Sequence, residues 1–531
     1  MPPDGRHVAR RRPSPPTPAA GVPMRTSADP VPLVVALAAI LVGAIALGWL
    51  VAGLAAGPTA PDLASGGPAP EPINEAFSGL TTFRGNAGRS YLGTGPVPLE
   101  PVKRWVYPVG GKLCSFSAEG RDPSDTKEWC GTGWTGQPNV VPGADGMEVR
   151  IGAFDGAYHF LDAGTGTVVR PPLVTGDLAK GSATSDPDGF PLYYGGSRDN
   201  LFRVVALDRE EPTVLWELDA NDARCEGPCW NDDWDGAALV VDDHLLEGGE
   251  NGWFYVVRLS RGYDAFGQVV VDPETVATFP GYDERLLADL GGPDAVVDGT
   301  PLFDVSIENS PVLADGVVYF ANSGGLVQGW DVSDVLAGGD EVRRVFRFWT
   351  GDDTDATLVM DDEGYLYVAS ELQRFNDRAR GLGQLLKLDP RRSDDPVVWR
   401  LPAREIGFQG AGGSWSTPAL SGDVVYLTTA AGRVLAVDRG TGDVLWEEQV
   451  GAPTITSPVV VDDVLLVGDC TGHLSAWDVS EPADPPPLLW SLDLGDCIES
   501  TPAVWDGWLY VGTREGYIYG IADAETPAPA R

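Results

Sequence analysis

Acidic, amide and tryptophan side chains recur in short segments that each precede an alternating apolar stretch. The segments are GWTGQP, NDDWDG, ENSP, DTDAT, SWSTP and ESTP. Carboxylate and amide oxygens suit a hard cation such as calcium, which takes about six to eight oxygen ligands. Broad tryptophan faces suit a flat or sugar-like ligand. The residues that would converge on such a site are Trp134, Asp232, Asp233, Trp234, Asp235, Glu308, Asn309, Asp355, Trp415 and Glu499.

Other arrangements for catalysis are not found in the sequence. The four histidines, His7, His159, His244 and His473, lie in separate segments and show no metal-ligand spacing. No G-x-S-x-G motif stands in a strand–turn–helix context, and there is no phosphate-binding loop. The glycines of residues 248–252 predict only a tight turn between strands.

A repeated unit must position the polar segments. Residues 414–446 contain four short alternating stretches separated by turn residues, which predicts four antiparallel strands. Pro311, Pro418 and Pro458 each stand 20 residues before an aspartate, at Asp331, Asp438 and Asp478. Further copies begin near Pro138, Ser182, Gly236, Thr354 and Pro502. Eight copies of four strands predict an all-β, eight-bladed β-propeller of antiparallel blades.

The two ends of the repeat region are complementary. The last copy stops after three strands, at Asp523, and the stretch KRWVYPVG around Trp105 supplies a fourth strand. Pairing these segments closes the ring and removes a free sheet edge. We therefore predict a propeller over residues 81–524, a linker over 57–80, and a disordered tail over 525–531.

The motif AVDRGTGDVLW at residues 436–446 resembles the tryptophan-docking motif of quinoprotein dehydrogenases. The wider family of pyrroloquinoline-quinone-like (PQQ-like) propeller repeats shares it, and residues 81–105 are similar to the lead-in of such domains. The resemblance implies that the tryptophan stacks on a neighbouring blade while the aspartate and Thr-Gly fix the turn. The family of such repeats includes both dehydrogenases and non-enzymatic BamB-like proteins.

The resemblance also implies a location for cofactors at the channel mouth. In the dehydrogenases a Glu, an Asn and an Asp hold calcium and the quinone over a tryptophan. The corresponding candidate metal ligands are Glu308, Asn309 and Asp355, and the candidate cofactor-binding set is Trp134, Asp233, Trp234, Glu308, Asn309, Trp415 and Glu499.

Two departures from the dehydrogenase pattern argue against a cofactor. The chain has no adjacent cysteine pair, since three residues separate Cys225 from Cys229. The six polar segments at the channel mouth contain no lysine or arginine, and Arg224 lies just before NDDWDG. An anionic quinone is disfavoured in an acidic mouth without cations. The sequence therefore predicts no bound cofactor, with PQQ and calcium as the alternative.

The six cysteines and the N-terminal residues indicate an exported chain. An even number of cysteines suggests disulfides in an oxidising compartment, and six allow 15 pairings. The spacings suggest Cys114–Cys130, Cys225–Cys229 and Cys470–Cys497. Arginines precede an uncharged apolar run from Val31 to Gly57, which predicts a cytoplasmic Arg/Pro-rich tail over 1–30 and a transmembrane helix over 31–56. A cleaved signal peptide is the alternative.

The net charge of −40 excludes nucleic acid as a partner, because phosphates require lysine and arginine. Few lysines with abundant Ala, Gly, Pro and Asp indicate a GC-rich, actinobacterial genome. The first functional prediction is a single-pass cell-membrane protein with a monomeric extracellular or periplasmic propeller. It would be a non-catalytic scaffold for proteins or cell-envelope polymers. A PQQ- and calcium-dependent dehydrogenase that oxidises an alcohol or sugar is one alternative, and a lectin-like binder is another.

Overall fold

The computed structural model describes residues 79–118, 126–134, 136–222, 233–291, 296–297, 300–301, 304–451 and 453–530. Four strands come before the first blade: β1 (Gly93–Thr94), β2 (Pro101–Tyr107), β3 (Cys114–Ala118) and β4 (Thr126–Cys130). Blade 1 contains β5 (Asn139–Pro142), β6 (Met147–Ala153), β7 (Ala157–Asp162) and β8 (Leu173–Val174). Blade 2 contains β9 (Thr184–Ser185), β10 (Leu192–Gly196), β11 (Leu201–Ala206) and β12 (Thr213–Asp219).

Blades 3 and 4 carry the larger insertions. Blade 3 contains β13 (Leu239–Val241), β14 (His244–Gly248) and β15 (Trp253–Arg258), then the hairpin of β16 (Gly262–Tyr263) and β17 (Val269–Val270), then its fourth strand β18 (Glu274–Pro280). Helix α1 (Glu284–Asp289) and the pair β19 (Val296–Val297) and β20 (Thr300–Pro301) follow. Blade 4 contains β21 (Val312–Ala314), β22 (Val317–Phe320), β23 (Leu326–Asp331), helix α2 (Ser333–Leu336) and β24 (Arg343–Trp349).

The remaining blades follow the same order. Blade 5 contains β25 (Val359–Met360), β26 (Leu366–Ala369), the short β27 (Glu371–Leu372), helix α3 (Asp377–Leu382), β28 (Leu385–Leu388) and β29 (Val397–Leu401). After a 3-10 turn (Phe408–Gly410) and β30 (Gly412–Gly413), blade 6 contains β31 (Ala419–Ser421), β32 (Val424–Thr428), β33 (Arg433–Asp438) and β34 (Val444–Gln449). Blade 7 contains β35 (Val459–Val461), β36 (Val464–Gly468), β37 (His473–Asp478) and β38 (Leu488–Asp493). Blade 8 begins with β39 (Ala503–Trp505), β40 (Trp508–Thr513) and β41 (Tyr517–Asp523).

The ring closes as the sequence predicts. Strand β2 pairs antiparallel with β41 and supplies the fourth strand of blade 8, while β1 adds to β39 in parallel. Each of the eight sheets pairs its four blade strands in order and antiparallel. The all-β, eight-bladed, four-stranded architecture is therefore confirmed. The predicted membrane helix at 31–56 lies outside the described residues, and among the described residues no helix is long and apolar enough to cross a bilayer.

Each blade tapers from a buried inside to a half-exposed outside. Second strands such as β32 are buried at every position, because neighbouring blades cover both of their faces. Fourth strands such as β34 alternate between exposed and covered residues, as strands with one solvated face do. In blades 2 to 8 the pairing of the third strand with the fourth contains a register shift, which in blade 6 lies between Ala436 and Val437. Such bulges re-aim a side chain, and here the residue that pairs just beyond the bulge is often the docking tryptophan.

Tryptophan docking joins one blade to the next. Trp399 on β29 donates from Nε1 to the carbonyl oxygen of Arg439 in blade 6, at 3.0 Å. The turn that receives the ring is fixed by Asp438, whose carboxylate accepts from the backbone N–H groups of Gly440 and Thr441 at 3.0 and 2.7 Å. Trp105 docks on blade 1 in the same way, through the carbonyl of Ala163 at 2.9 Å. The structural role implied by the repeat motif is thus observed.

Gly442→Ala is expected to weaken this joint by about 2–4 kcal/mol. Gly442 has φ of +79°, and a Cβ there would lie 2.7 Å from Cδ2 of Trp399, so alanine is both strained and in collision. Gly422 has φ of +54° with nothing within 4 Å of such a Cβ. Gly422→Ala should therefore cost only about 1 kcal/mol. Urea unfolding of both variants measures the difference, and equal losses would contradict the docking role.

Residues 79–94 fill the channel on the ring axis and contact all eight blades. Leu80 exchanges backbone hydrogen bonds with Val140 of blade 1, and β1 pairs with β39 of blade 8. The carbonyls of Thr81, Ala87 and Gly88 accept from backbone N–H groups of Ser185, Leu313 and Met360 in blades 2, 4 and 5. Arg84 and Arg89, both fully buried, reach the remaining blades through carbonyl oxygens of Thr417, Pro458 and Ala237. We call residues 79–94 the axial plug.

The chain ends lie closer to the propeller than the sequence predicts. Leu80, assigned to the linker, is fully buried against blade 1. The tail over 525–531 was predicted to be disordered, but residues 525–530 pack on blade 8. Trp508 donates to the carbonyl of Pro527 at 2.7 Å, and Arg104 donates to that of Thr526 at 2.9 Å. The buried Trp508 donor needs an acceptor, which the tail supplies through its backbone.

Two of the three suggested disulfides are present. Cys114–Cys130 joins the antiparallel hairpin of β3 and β4. Cys470–Cys497 links the turn between β36 and β37 to the loop that enters blade 8, and so connects two neighbouring blades. Cys225 and Cys229 lie outside the described residues.

Candidate functional site

A cavity of about 570 Å³ opens on the face where the loops entering the first strands meet the turns between second and third strands. Its aromatic side chains are Trp129, Trp134, Phe154, Phe408 and Trp415. Its basic side chains are Lys127, Lys180 and Arg514, and its carboxylates are Asp235, Glu308, Asp355 and Glu499. The Cys470–Cys497 disulfide also lines it. Arg89 and Arg84 of the axial plug donate to the carbonyls of Ala237 and Thr417, each two residues beyond a lining residue, so the plug lies next to the cavity on the ring axis.

One wall of the cavity combines aromatic rings with cations. The ammonium of Lys127 lies 4.2 Å from the ring centroid of Trp129, and the guanidinium of Arg514 lies 4.5 Å from that of Phe154. Arg514 also pairs with Glu499 at 3.1 Å. Cations at these distances are attracted to the ring faces. This wall therefore offers positive charge beside flat apolar surface.

A lysine ammonium organises three carboxylates on the second wall. Nζ of Lys180 lies 2.9 Å from Asp233, 2.9 Å from Asp235 and 3.1 Å from Glu250. Burial lowers the pKa of Lys180, but the three carboxylates outweigh it and raise the pKa well above its ordinary value. The ammonium is thus held charged at the centre of the group. We call these four residues the Lys180 cluster.

Blade 5 carries a second group of three buried carboxylates. One oxygen each of Asp353, Asp355 and Glu371 lie within 4.8 Å of one another. Arg374 reaches Asp353 at 3.5 Å, and Ser323 donates to Asp355 at 2.9 Å. Burial raises the pKa of Asp353 to about 6, against the lowering effect of Arg374. Burial and the neighbouring carboxylates raise the pKa values of Asp355 and Glu371 well above the ordinary range. We call the three carboxylates the blade 5 cluster.

The residues predicted for the site fall into two groups. Those that line the cavity are Trp134, Asp235, Glu308, Asp355, Trp415 and Glu499. Asp233 lies just behind the lining, bound to Lys180, and Asp232 lies outside the described residues.

Two other predicted residues make structural contacts. The Asn309 amide donates to the carbonyls of Ala321 and Thr354 at 3.1 and 3.0 Å, and its oxygen accepts from the Ala321 N–H at 3.0 Å. Its oxygen therefore does not fit the metal-ligand role implied for it. Trp234 is buried among Phe202 and Tyr255 and donates to the carbonyl of Asn200 at 2.9 Å. Both side chains connect strands and lie outside the cavity lining.

The expectation of a mouth without cations is wrong. Lys127, Lys180 and Arg514 line the cavity, although none belongs to the six segments that precede the first strands. Lys127 comes from the hairpin strand β4, Lys180 from the loop between blades 1 and 2, and Arg514 from the turn between β40 and β41. Loops remote in sequence thus supply the positive charge. The electrostatic argument against an anionic ligand no longer holds for this cavity.

Sequence comparisons match a limited part of the chain. Residues 383–484 match the family described as outer membrane protein assembly factor BamB. The outer membrane protein assembly factor BamB of Pseudomonas aeruginosa is 34% identical over 77 residues, which are 14% of this chain and 20% of that protein. The chain therefore matches about a fifth of the length of this relative.

Comparison with solved structures covers more of the chain than the sequence matches do. A quinohemoprotein alcohol dehydrogenase from Pseudomonas putida superposes with a TM-score of 0.54 over 85% of this chain and 82% of its own, at 12% identity. BamB from Moraxella catarrhalis gives a TM-score of 0.35 over 80% of this chain and 98% of its own, at 13% identity. At these identities the likeness to the dehydrogenase concerns the fold alone.

Proposed function

We propose that this chain, which is a PQQ-like β-propeller, is a membrane-anchored extracytoplasmic scaffold that binds a protein segment or a cell-envelope polymer in its cavity. The observation that carries the proposal is the division of the cavity lining among five aromatic rings, three cations and four carboxylates. A ligand that presents flat apolar or sugar surface together with charge of both signs matches that division. The BamB relative is named an outer membrane protein assembly factor, and binding of this type agrees with that name.

The described lining residues do not offer the usual groups of nucleophilic catalysis. Among the described residues that line the cavity there is no histidine, serine or free thiol, and its two cysteines form a disulfide. Nucleophilic catalysis needs an activated nucleophile within hydrogen-bond reach of a base. The tightly paired Lys180 and Arg514 are suited to hold charge in place rather than to transfer protons.

The axial plug limits how a ligand enters. Because residues 79–94 bond to every blade below the cavity, a chain cannot thread through the ring. A bound polymer therefore lies across the face or inserts one end. The two disulfides agree with an oxidising compartment, and the arginine-flanked apolar run at 31–56 provides the anchor.

Trp415→Ala should weaken ligand binding about 30-fold, equivalent to about 2 kcal/mol, because buried aromatic anchors dominate binding energy. The full-length chain in detergent is titrated with soluble peptidoglycan fragments and, separately, with acidic and basic peptides, and tryptophan fluorescence reports binding. Phe266→Ala is the matched control, since Phe266 is 91% exposed and lies outside the cavity lining. Unchanged affinity in Trp415→Ala would remove the cavity from the proposed function.

A dehydrogenase is the second candidate, and the cations of the cavity favour it. Lys127 and Arg514 would hold the carboxylates of a pyrroloquinoline quinone beside Trp129, and the quinone would accept electrons from an alcohol. Asn309 does not fit calcium, whereas the cavity carboxylates do. The test is dye-linked oxidation of alcohols and sugars by the chain supplied with the quinone and calcium. Turnover that depends on the quinone would overturn the non-catalytic proposal.

A further inference from the structure

The Lys180 cluster and the blade 5 cluster share one sequence pattern. Each contains an Asp-x-Asp before the first strand of its blade, at Asp233–Asp235 and Asp353–Asp355. Each adds a glutamate after the second strand, Glu250 following Asp235 by 15 residues and Glu371 following Asp355 by 16. The propeller repeat therefore places the same three carboxylates at equivalent positions of blades 3 and 5. In both clusters one oxygen of each carboxylate lies within 4.8 Å of the others.

The two clusters differ in what balances their charge. In blade 3 the ammonium of Lys180 lies within 3.1 Å of all three carboxylates. In blade 5 the described ion pairs bring only Arg374, which reaches Asp353 at 3.5 Å but neither Asp355 nor Glu371. Arg374 is shared with Asp352 at 3.8 Å. The carboxylates of blade 5 therefore lack the central cation that their counterparts in blade 3 hold.

Unpartnered oxygens mark the same place. Oδ1 of Asp353 and Oε1 of Glu371 are buried and have no hydrogen-bond partner. Glu371 is fully buried and Asp353 is 7% exposed. A buried oxygen without a donor costs about 1–3 kcal/mol relative to a satisfied one. Both oxygens would gain a partner from a cation among the three carboxylates.

We propose that the blade 5 cluster binds one divalent cation of the calcium or magnesium type, with Asp353, Asp355 and Glu371 as its ligands. Hard cations prefer carboxylate oxygens, and three carboxylates leave positions for water or for a ligand in the cavity. All three ligands come from blade 5, and Asn309 is not among them. The proposal does not depend on a quinone or on the binding function proposed above.

The full-length chain is stripped with EDTA and titrated with terbium(III), a calcium mimic whose luminescence is sensitised by nearby tryptophan. Trp415 and Trp134 line the same cavity as Asp355. We expect one equivalent of terbium, displaced by calcium or magnesium. Asp353→Asn and Glu371→Gln should each weaken the affinity by about tenfold or more. Asp331→Asn, the same chemical change at a residue paired with Arg343 outside the lining, should not.

A melting experiment separates loss of binding from loss of folding. Calcium should raise the melting temperature of the stripped wild-type chain but not that of folded Asp353→Asn or Glu371→Gln. Both variants are expected to fold, because each removes charge from a crowded carboxylate group. If the wild type takes up no cation at millimolar calcium and magnesium, the proposal fails. Protons shared between the three carboxylates would then balance their charge. Undiminished binding in the Asp353→Asn/Glu371→Gln variant would also overturn it.

Discussion

Arg89→Met should lower the free energy of unfolding by about 4 kcal/mol or more. The guanidinium donates to the carbonyl oxygens of Pro311, Ala237 and Phe83 at 2.8, 2.6 and 2.8 Å. These oxygens belong to blade 4, blade 3 and the plug itself. Methionine fills part of the volume but leaves three buried acceptors without donors, at about 1–3 kcal/mol each. The loss should appear in urea unfolding followed by tryptophan fluorescence.

Arg84→Met is the matched comparison within the axial plug. Arg84 is also fully buried, and Nη2 donates to the carbonyls of Thr417 and Pro458 at 3.0 and 2.8 Å. Its Nε and Nη1 have no partner, so the wild-type arginine already carries an uncompensated cost. Its replacement should therefore cost clearly less than that of Arg89. Arg89→Lys should recover little, because one ammonium does not reproduce the planar fork of donors.

The order of these losses tests whether the plug holds the ring together. If Arg89→Met and Arg84→Met cost the same small amount, below about 1 kcal/mol, the plug is a passive filler and the blades close without it. If Arg89→Met abolishes folding, Arg89→Lys is compared with Arg84→Met instead. Arg89→Lys should then lose more free energy of unfolding than Arg84→Met.

The fold was predictable because its signal is repeated eight times. The proline-to-aspartate spacing indicates the strand register in three copies, and the docking motif at 436–446 marks a fourth strand. The last copy, which has three strands, requires Trp105 and its neighbours as its fourth. The spacing of the cysteines also predicted the disulfides Cys114–Cys130 and Cys470–Cys497. Because the unit repeats, the strands of a degenerate blade can be located by aligning it with the clearer copies.

The axial plug could not be deduced in this way. Its partners are backbone carbonyls of residues such as Pro311 and Pro458, and a carbonyl has the same chemistry at every position. The sequence marks residues 81–105 only as a lead-in. Arg84 and Arg89 make the contacts that distinguish this segment, and in the sequence they resemble surface residues until their burial is known.

The sequence predicts one part of the candidate site, the residues that precede the first strands. Residues before the first strands, such as Trp415 and Glu499, line the cavity because every blade starts at the same face. The turns between second and third strands lie on that face too, and they supply Glu250, Glu371 and Arg514. Applying the same topological rule to those turns would have found them. Lys180 belongs to an inter-blade loop with no repeat motif, and only its contacts with blade 3 identify it.

Lys180→Met should destabilise the chain by about 3–5 kcal/mol, since it leaves buried carboxylates without their cation. Asp233 keeps Arg198 at 3.3 Å, but no described ion pair brings another cation to Asp235. The variant Lys180→Met/Asp235→Asn/Glu250→Gln should recover most of the loss, because the remaining carboxylate is then paired. Urea unfolding at low ionic strength after EDTA treatment measures both. Failure of the triple variant to recover would assign the loss to packing of the lysine stem.

The same variant links the two carboxylate clusters. If a lysine ammonium in blade 3 and a divalent cation in blade 5 occupy equivalent positions, Lys180→Met converts the first cluster into a copy of the second. We then expect two equivalents of terbium in place of one, and calcium should restore part of the lost stability. One equivalent with no calcium-dependent recovery would show that three carboxylates at this spacing are not sufficient for a cation. That outcome would leave the blade 5 site to be judged by Asp353→Asn and Glu371→Gln alone.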